Sequence, residues 1–309
     1  MPDAASGIKT IYKRDNSRRE RLRVRFRRWL VKKLKSPMLW VATYEARKKY
    51  DGQEPLKILV DNTVLGLAIT HETRWVTTSI QELNGHRFYP GYAARVPVYG
   101  RKNKTREFHE AQCIATLSEL KRVGVVELYI SGELADERFR QPIGRYRGYG
   151  LFDHSLLEGV DRNLIDKPVF GAVGPEWMKL PSAAEQQRRR IRQSGDKLYE
   201  KLYGVFRHQL GEKCQDVWHI RTAEVHQCYC FPTTDKSLLK AWKNLRTKSP
   251  VRELQTQVLS PSELAEQMTF RPADPIIFSF DGRSAPVDVD EVMPGEKRRP
   301  RSKYRSNWG

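Results

Sequence analysis

The chain is poor in cysteine: Cys113, Cys214, Cys228 and Cys230 are the only four in 309 residues, and no two of them form a C-x-x-C pair. They are too sparse for a disulfide framework in a chain of this size, so the thiols are expected to be reduced and the protein cytoplasmic. Cys228 and Cys230 lie near His226, but the apolar CYCF run puts both on one face of a strand and reads as core packing, not zinc. Apolar runs of membrane-spanning length are missing too, which excludes a transmembrane protein and leaves no membrane among the expected partners. Acidic residues are in deficit, with 37 Asp and Glu against 56 Lys and Arg, a formal net charge of +19. A surplus of that size calls for a polyanionic partner, and nucleic acid fits better than an acidic lipid surface.

What is present is enough for one sizeable core plus additions. Residues 1–50 carry 16 Lys and Arg against 4 Asp and Glu, a net of +12. Within RRERLRVRFRRWLVKKLK, Leu22, Phe26, Trp29, Leu30 and Leu34 fall at helical spacing on one side. Arg21, Arg25, Arg28, Lys32 and Lys35 fall largely on the other, and Ser36-Pro37 is expected to end the helix. Such an arm can dock its apolar stripe on the protein or a partner while its cations meet phosphates. A second basic helix is expected over residues 183–192, where QQRRRIR offers Arg188, Arg189 and Arg190.

The stretch LKILVDNTVL, residues 56–65, organises the rest. An apolar run without alternation reads as a strand covered on both faces, the habit of parallel sheets, and Asp61 stands at its carboxyl end. Residues 66–105 are turn-rich and read as loops with a short hairpin. A helix over 107–123 with a glycine stop at Gly124 follows, then a strand at 125–130 leading into Ser131 and the acidic run to Glu137. Further on, a helix over 197–210 precedes one that begins near Asp216. The CYCF strand runs into Thr233, Thr234 and Asp235, and helix 236–245, strand 256–259 and a helix opening at Ser260-Pro261 close the series. Beyond Phe270 a proline-rich, basic tail is expected to be flexible. Aromatics and arginines interleaved over 146–152 read as a surface loop, or one that stacks on bases.

Strands that alternate with helices call for an α/β sandwich around a parallel sheet. In such a sheet the strand ends lie along one edge, where the ligand crevice forms. Carboxylates gathered there repel one another unless a cation sits between them, which suggests Mg²⁺ or Mn²⁺. The plainer alternative is four independent helix caps.

Taken in order, VDNTVL, YISGELADE, DVWHIRTAEV with CYCFPTTDKSLL, and VLSPSEL resemble the motifs of the PIN-domain nucleases. The resemblance covers residues 56–268, with 66–105 as a long insertion, the basic arm 1–50 before it and the tail 270–309 after it. It implies a three-layer α/β/α sandwich with a central, mainly parallel sheet, and a metal-dependent endoribonuclease. Asp61, Glu137, Asp216 and Asp235 would hold one or two Mg²⁺ or Mn²⁺ ions, with Thr233 positioning a carboxylate or the scissile phosphate. Because the insertion is long, Glu110, Glu119 and Glu133 rival Glu137 for the second acidic place. His219, one turn after Asp216, is expected to orient a carboxylate or pack. RNA is the expected partner, with DNA, an inhibitor or partner protein on the arm, and a homodimer as alternatives or additions. A catalytically inactive RNA-binding scaffold is the competing class. An aspartyl-phosphate phosphatase is disfavoured, since Thr63 stands where a second acid is needed.

Overall fold

A computed structural model describes residues 18–77, 81–83, 86–88, 91–98, 105–140, 154–157, 160–174, 176–211, 215–278 and 284–285. In chain order the elements are α1 (Arg18–Lys49), β1 (Leu56–Leu59), α2 (Asn62–Leu67), β2 (Ile69–Thr77), β3 (Gln81–Leu83), β4 (His86–Phe88), β5 (Gly91–Pro97), α3 (Arg106–Arg122), β6 (Val126–Ile130) and α4 (Gly132–Phe139). There follow β7 (His154–Ser155), β8 (Arg162–Leu164), α5 (Ala183–Gln193), α6 (Lys197–Leu210), α7 (Asp216–Val225), β9 (Cys230–Pro232), α8 (Lys236–Leu245), β10 (Gln257–Leu259), α9 (Pro261–Met268) and β11 (Ser284–Ala285).

The five-stranded sheet runs β10-β9-β1-β6-β8, and every pairing in it is parallel. Side chains alternate across its central strand. Ile58 and Val60 join a cluster with Ile114, Leu117, Leu120 and Leu264, whereas Leu59 joins Phe206, Ile220, Phe231 and Leu238. Both faces of β1 are therefore covered, which is why its sequence shows no alternation. Helices α3 and α9 serve one face and α6, α7 and α8 the other, an arrangement compatible with a three-layer sandwich. The chain passes from β1 outward through β6 to β8 and then returns to β9 on the other side. That reversal puts the crevice of an open α/β sheet between the ends of β1 and β9.

Local chemistry explains the helix boundaries. Ser131, Ser182, Asp196 and Ser260 each accept a hydrogen bond from the first turn of the helix that follows, and Ser260 and Glu263 form a reciprocal capping box. Gly211 closes α6 with a positive φ of 79°, which a residue with a Cβ resists.

Several expectations need correction. Helix α1 does not stop at Ser36-Pro37 but runs through to Lys49. Proline lacks the N–H that a helix interior uses, at a cost of about 3 kcal/mol. Burial of Leu39, Ala42, Thr43 and Ala46 against α3 and the 270–277 segment offsets it. The second half of α1 is thus core, and so is the start of the tail, where Phe270, Ala273 and Ile277 are buried. Residues 66–105 are not mainly loop: β2 and β5 pair antiparallel from His71↔Pro97 to Thr77↔Gly91, and β7 and β11 extend that sheet. Cys228 and Cys230 do not share a face, because the strand begins only at Cys230; Cys228 packs with the Phe231 cluster and Cys230 with the Ile58 cluster. The 146–152 loop and all of the tail beyond residue 278 except 284–285 lie outside the described residues. Among the described residues no helix is long and apolar enough to cross a membrane.

Candidate active site

Parallel pairing of β6, β1 and β9 carries Ser131, Asp61 and Thr233 to one edge of the sheet. Asp61 is buried, and although it precedes α2 it does not cap it. Instead its Oδ2 accepts the hydroxyl of Thr233 at 2.6 Å and the hydroxyl of Thr63. Those two hydroxyl oxygens in turn accept the backbone N–H groups of Asp235 at 3.1 Å and Thr234 at 3.0 Å. Two hydroxyls, each backed by a peptide N–H, thus converge on one carboxylate oxygen and lock the end of β9 to the end of β1.

Glu137 reaches the same edge from the last turn of α4. Its Oε1 accepts Gln187 Nε2 at 2.7 Å and lies 3.2 Å from His219 Nε2, while Oε2 lies 3.5 Å from Asn62 Nδ2. Burial works to raise the Glu137 carboxyl, but the His219 charge, the bonds from His219 and Gln187, and Arg140 outweigh it and hold the acid well below its usual range. Burial works to lower His219, yet Glu137, Asp216 and Asp61 raise it well above its ordinary value. The histidine thus contacts the carboxylate of Glu137 through Nε2, while its Nδ1 is buried without a partner among the described residues.

Asp216 opens α7 without capping it, and no hydrogen bond to its carboxylate occurs among the described residues. Burial pushes this acid up, His219 pulls it down, and the charges of Asp61, Asp235 and Glu137 push it up again, leaving it at about 6. Burial is the largest of these influences, and the charges of the other three carboxylates add to it. Asp235 is the one that also caps, accepting the N–H groups of Ser237 at 2.7 Å and Leu238 at 3.2 Å through Oδ1. The alternative of four independent caps accounts for Asp235 alone.

The rivals of Glu137 are engaged elsewhere. Glu110 accepts both the N–H and the hydroxyl of Ser262 at 2.8 Å. Glu119 pairs with Arg122 at 3.4 Å and lines a groove of about 580 Å³ with Lys35, Trp40 and Arg47, at the opposite end of α3 from the Glu107–Lys236 pair. Glu133 is held by the Nε and a terminal nitrogen of Arg190 at 3.0 and 2.8 Å. Arg190 also meets Asp136 at 3.2 Å, so this candidate phosphate ligand is already committed within the protein. Arg189 is exposed and pairs with Glu185 at 2.7 Å, and Arg188 is half-buried. The side chains of Arg21, Arg25, Arg28 and Lys32 lie outside the described ones.

Three residues of the site were not singled out from the sequence as parts of it. Thr63 and Asn62 are visible only as the polar pair behind Asp61. Gln187, fully buried inside the most basic helix of the domain, has no sequence signal at all.

The donor set suits a hard divalent cation: four carboxylates, one of them without a hydrogen bond among the described residues, and a buried Asn62 Oδ1 without a partner there. As they stand, no three acidic, histidine or cysteine side chains among the described residues are close enough to hold an ion. Binding one requires the carboxylates to move together, which their repulsion opposes in its absence. The chain matches no protein-family model, no curated protein and no solved structure.

Proposed function

We propose that the protein is a metal-dependent endoribonuclease with a PIN-like domain, hydrolysing phosphodiester bonds to leave a 5'-phosphate and a 3'-hydroxyl. The observation that carries this reading is Asp216: an acid with no donor among the described residues to stabilise it, raised to about 6 by burial and by three other carboxylates at the same edge. A fold gains nothing from that repulsion, so the cluster is best understood as a site for positive charge. Asp61, Glu137, Asp216 and Asp235 would hold Mg²⁺ or Mn²⁺. A bound ion of this kind stabilises charge developing on a phosphate and lowers the pKa of water. Thr233 and Thr63 fix the orientation of Asp61. The net charge of +19 supplies affinity for a polyanion without base readout.

The test is incubation of labelled RNA and DNA single strands with the full chain, in Mn²⁺ and in chelator. RNA is expected to be cut in Mn²⁺ and intact in chelator, and Asp61→Asn and Asp235→Asn are each expected to abolish cleavage while leaving the protein folded. Undiminished cleavage by both variants would sink the assignment. Cleavage of DNA alone would move the substrate, and metal-independent RNA binding without cleavage would make the protein a scaffold.

A further inference from the structure

Glu137 uses its two oxygens unequally. Oε1 carries the bond from Gln187 at 2.7 Å and the contact with His219 at 3.2 Å, while Oε2 has only Asn62, at the outer limit of a hydrogen bond. Gln187 is completely buried, and its own orientation is determined by its neighbours. Its Oε1 accepts a terminal nitrogen of Arg140 at 3.4 Å, and Arg140 is paired with Asp136 at 3.0 Å. Flipping the amide would set its NH₂ group against a guanidinium and its oxygen against a carboxylate, so only one orientation is satisfied.

Helix α5, which brings Gln187 in, is itself strapped to α4 and to the segment before it. Arg190 grips Glu133 of α4 with two nitrogens and reaches Asp136, and Gln186 bonds the backbone of Ala172 in both directions at 2.8 Å. Gln187 and Arg190 thus face α4, and Ile191 beside them is buried. A helix whose sequence advertises phosphate binding thus turns Gln187 and Arg190 onto the acidic residues of α4, while Arg189 stays exposed.

We infer that Gln187 is a positioning residue: from α5 it pins Oε1 of Glu137 and leaves Oε2 as the oxygen offered to a divalent ion at the carboxylate edge. The inference rests on the nuclease reading, and its test separates the two. A side chain that only fills space can be replaced by a methionine of similar volume without consequence for the metal. A hydrogen-bond donor behind a ligand cannot, and its loss typically costs about 10-fold to 100-fold in metal affinity or activity.

Mn²⁺ is titrated calorimetrically into the full-length wild type, Gln187→Met and Gln187→Glu, with melting temperatures recorded in chelator. Gln187→Met is expected to keep its fold and bind Mn²⁺ about 10-fold more weakly. Gln187→Glu keeps the shape but replaces the donor with a second carboxylate, and is expected to bind at least as weakly as Gln187→Met. In cleavage assays kcat falls and KM for RNA stays, because the substrate's distal contacts are untouched. If either folded variant binds Mn²⁺ as tightly as the wild type, the positioning role is overturned and the nuclease reading stands. If the wild type itself binds no Mn²⁺, both fall together.

Discussion

At the carboxyl edge of the sheet burial, and after it the charges of Asp61, Asp235 and Glu137, raise Asp216 to about 6, whereas along α1 like charges are strung out on a surface. Lys33, Arg47 and Lys48 are exposed there, beside a run of apolar side chains that are exposed as well. Burial makes the difference. Within the protein two like charges a few ångströms apart are poorly screened, while on an exposed helix water and salt screen them within about 10 Å at 0.1 M ionic strength. The acidic cluster therefore costs the fold stability and the basic arm costs it little. On the proposed reading the first would take a small cation and the second a large polyanion. Helix α5 belongs with the acidic edge despite its composition, since Arg190 is turned onto Glu133 and Asp136.

The contrast can be broken first at α1, where the largest effect is expected. Removing residues 1–50 takes Leu39, Ala42 and Ala46 out of the core, so that protein is expected to be insoluble or unfolded. Removing residues 1–35 leaves a chain that opens at Ser36-Pro37, a favourable cap and first helical residue, and the melting temperature is expected to hold. The shorter deletion should weaken RNA binding and flatten the slope of log affinity against log salt, by about 0.7 for each single-strand phosphate the arm had neutralised. An unchanged slope would remove the arm from the RNA-binding surface and point to a protein partner instead.

A smaller effect is expected at the acidic edge. Asp216 has a folded pKa raised from 3.8 to about 6, so its contribution to stability is complete below about pH 4 and is lost as pH rises through 6. In chelator, Asp216→Asn should match the wild type near pH 4 and exceed it by up to about 3 kcal/mol at pH 7, read by urea unfolding. Glu137 works in the opposite sense: its lowered pKa gives stability above about pH 4.5 that is lost as pH falls. A variant no more stable than wild type at pH 7 would mean that the four carboxylates do not repel as described.

The last effect separates the two halves of α1, and its smaller member lies at Phe26. Leu39 is 2% exposed and Phe26 63%. Leu39→Ala should cost about 3 kcal/mol, within the range for large core deletions, and Phe26→Ala less than about 0.5 kcal/mol. A large loss at Phe26 would show that its face is covered in solution.

Much of the fold was legible because the relevant forces are local. Periodicity marked α6 at Lys197–Leu210 and α8 at Lys236–Leu245, and the caps at Ser131 and Ser260 announced the helices behind them. The alternation of strands with helices implied the parallel sheet, and a parallel sheet alone is enough to bring Asp61, Thr233 and Ser131 to one edge. What local signals could not supply was the outcome of competition between distant segments. Pro37 should end a helix, and does not, because contacts with α3 and the 270–277 segment outweigh the missing hydrogen bond. The insertion after Leu65 looked like loops because its pairing partners, β2 and β5, are separated by a hairpin and its neighbours β7 and β11 lie far along the chain.

The same division runs through the site. The sequence by itself determined which residues could carry charge at the strand ends, since side-chain chemistry and strand polarity are properties of the chain. Only the tertiary structure decided how each is used. Asp235 caps a helix and Asp61 does not, Glu137 meets His219 while Glu110 meets Ser262, and Gln187 leaves a basic surface pattern to brace an acid. Hydrogen-bond partners 50 or 82 residues apart, as Gln187 and His219 are from Glu137, are chosen by packing, and no window of sequence contains both.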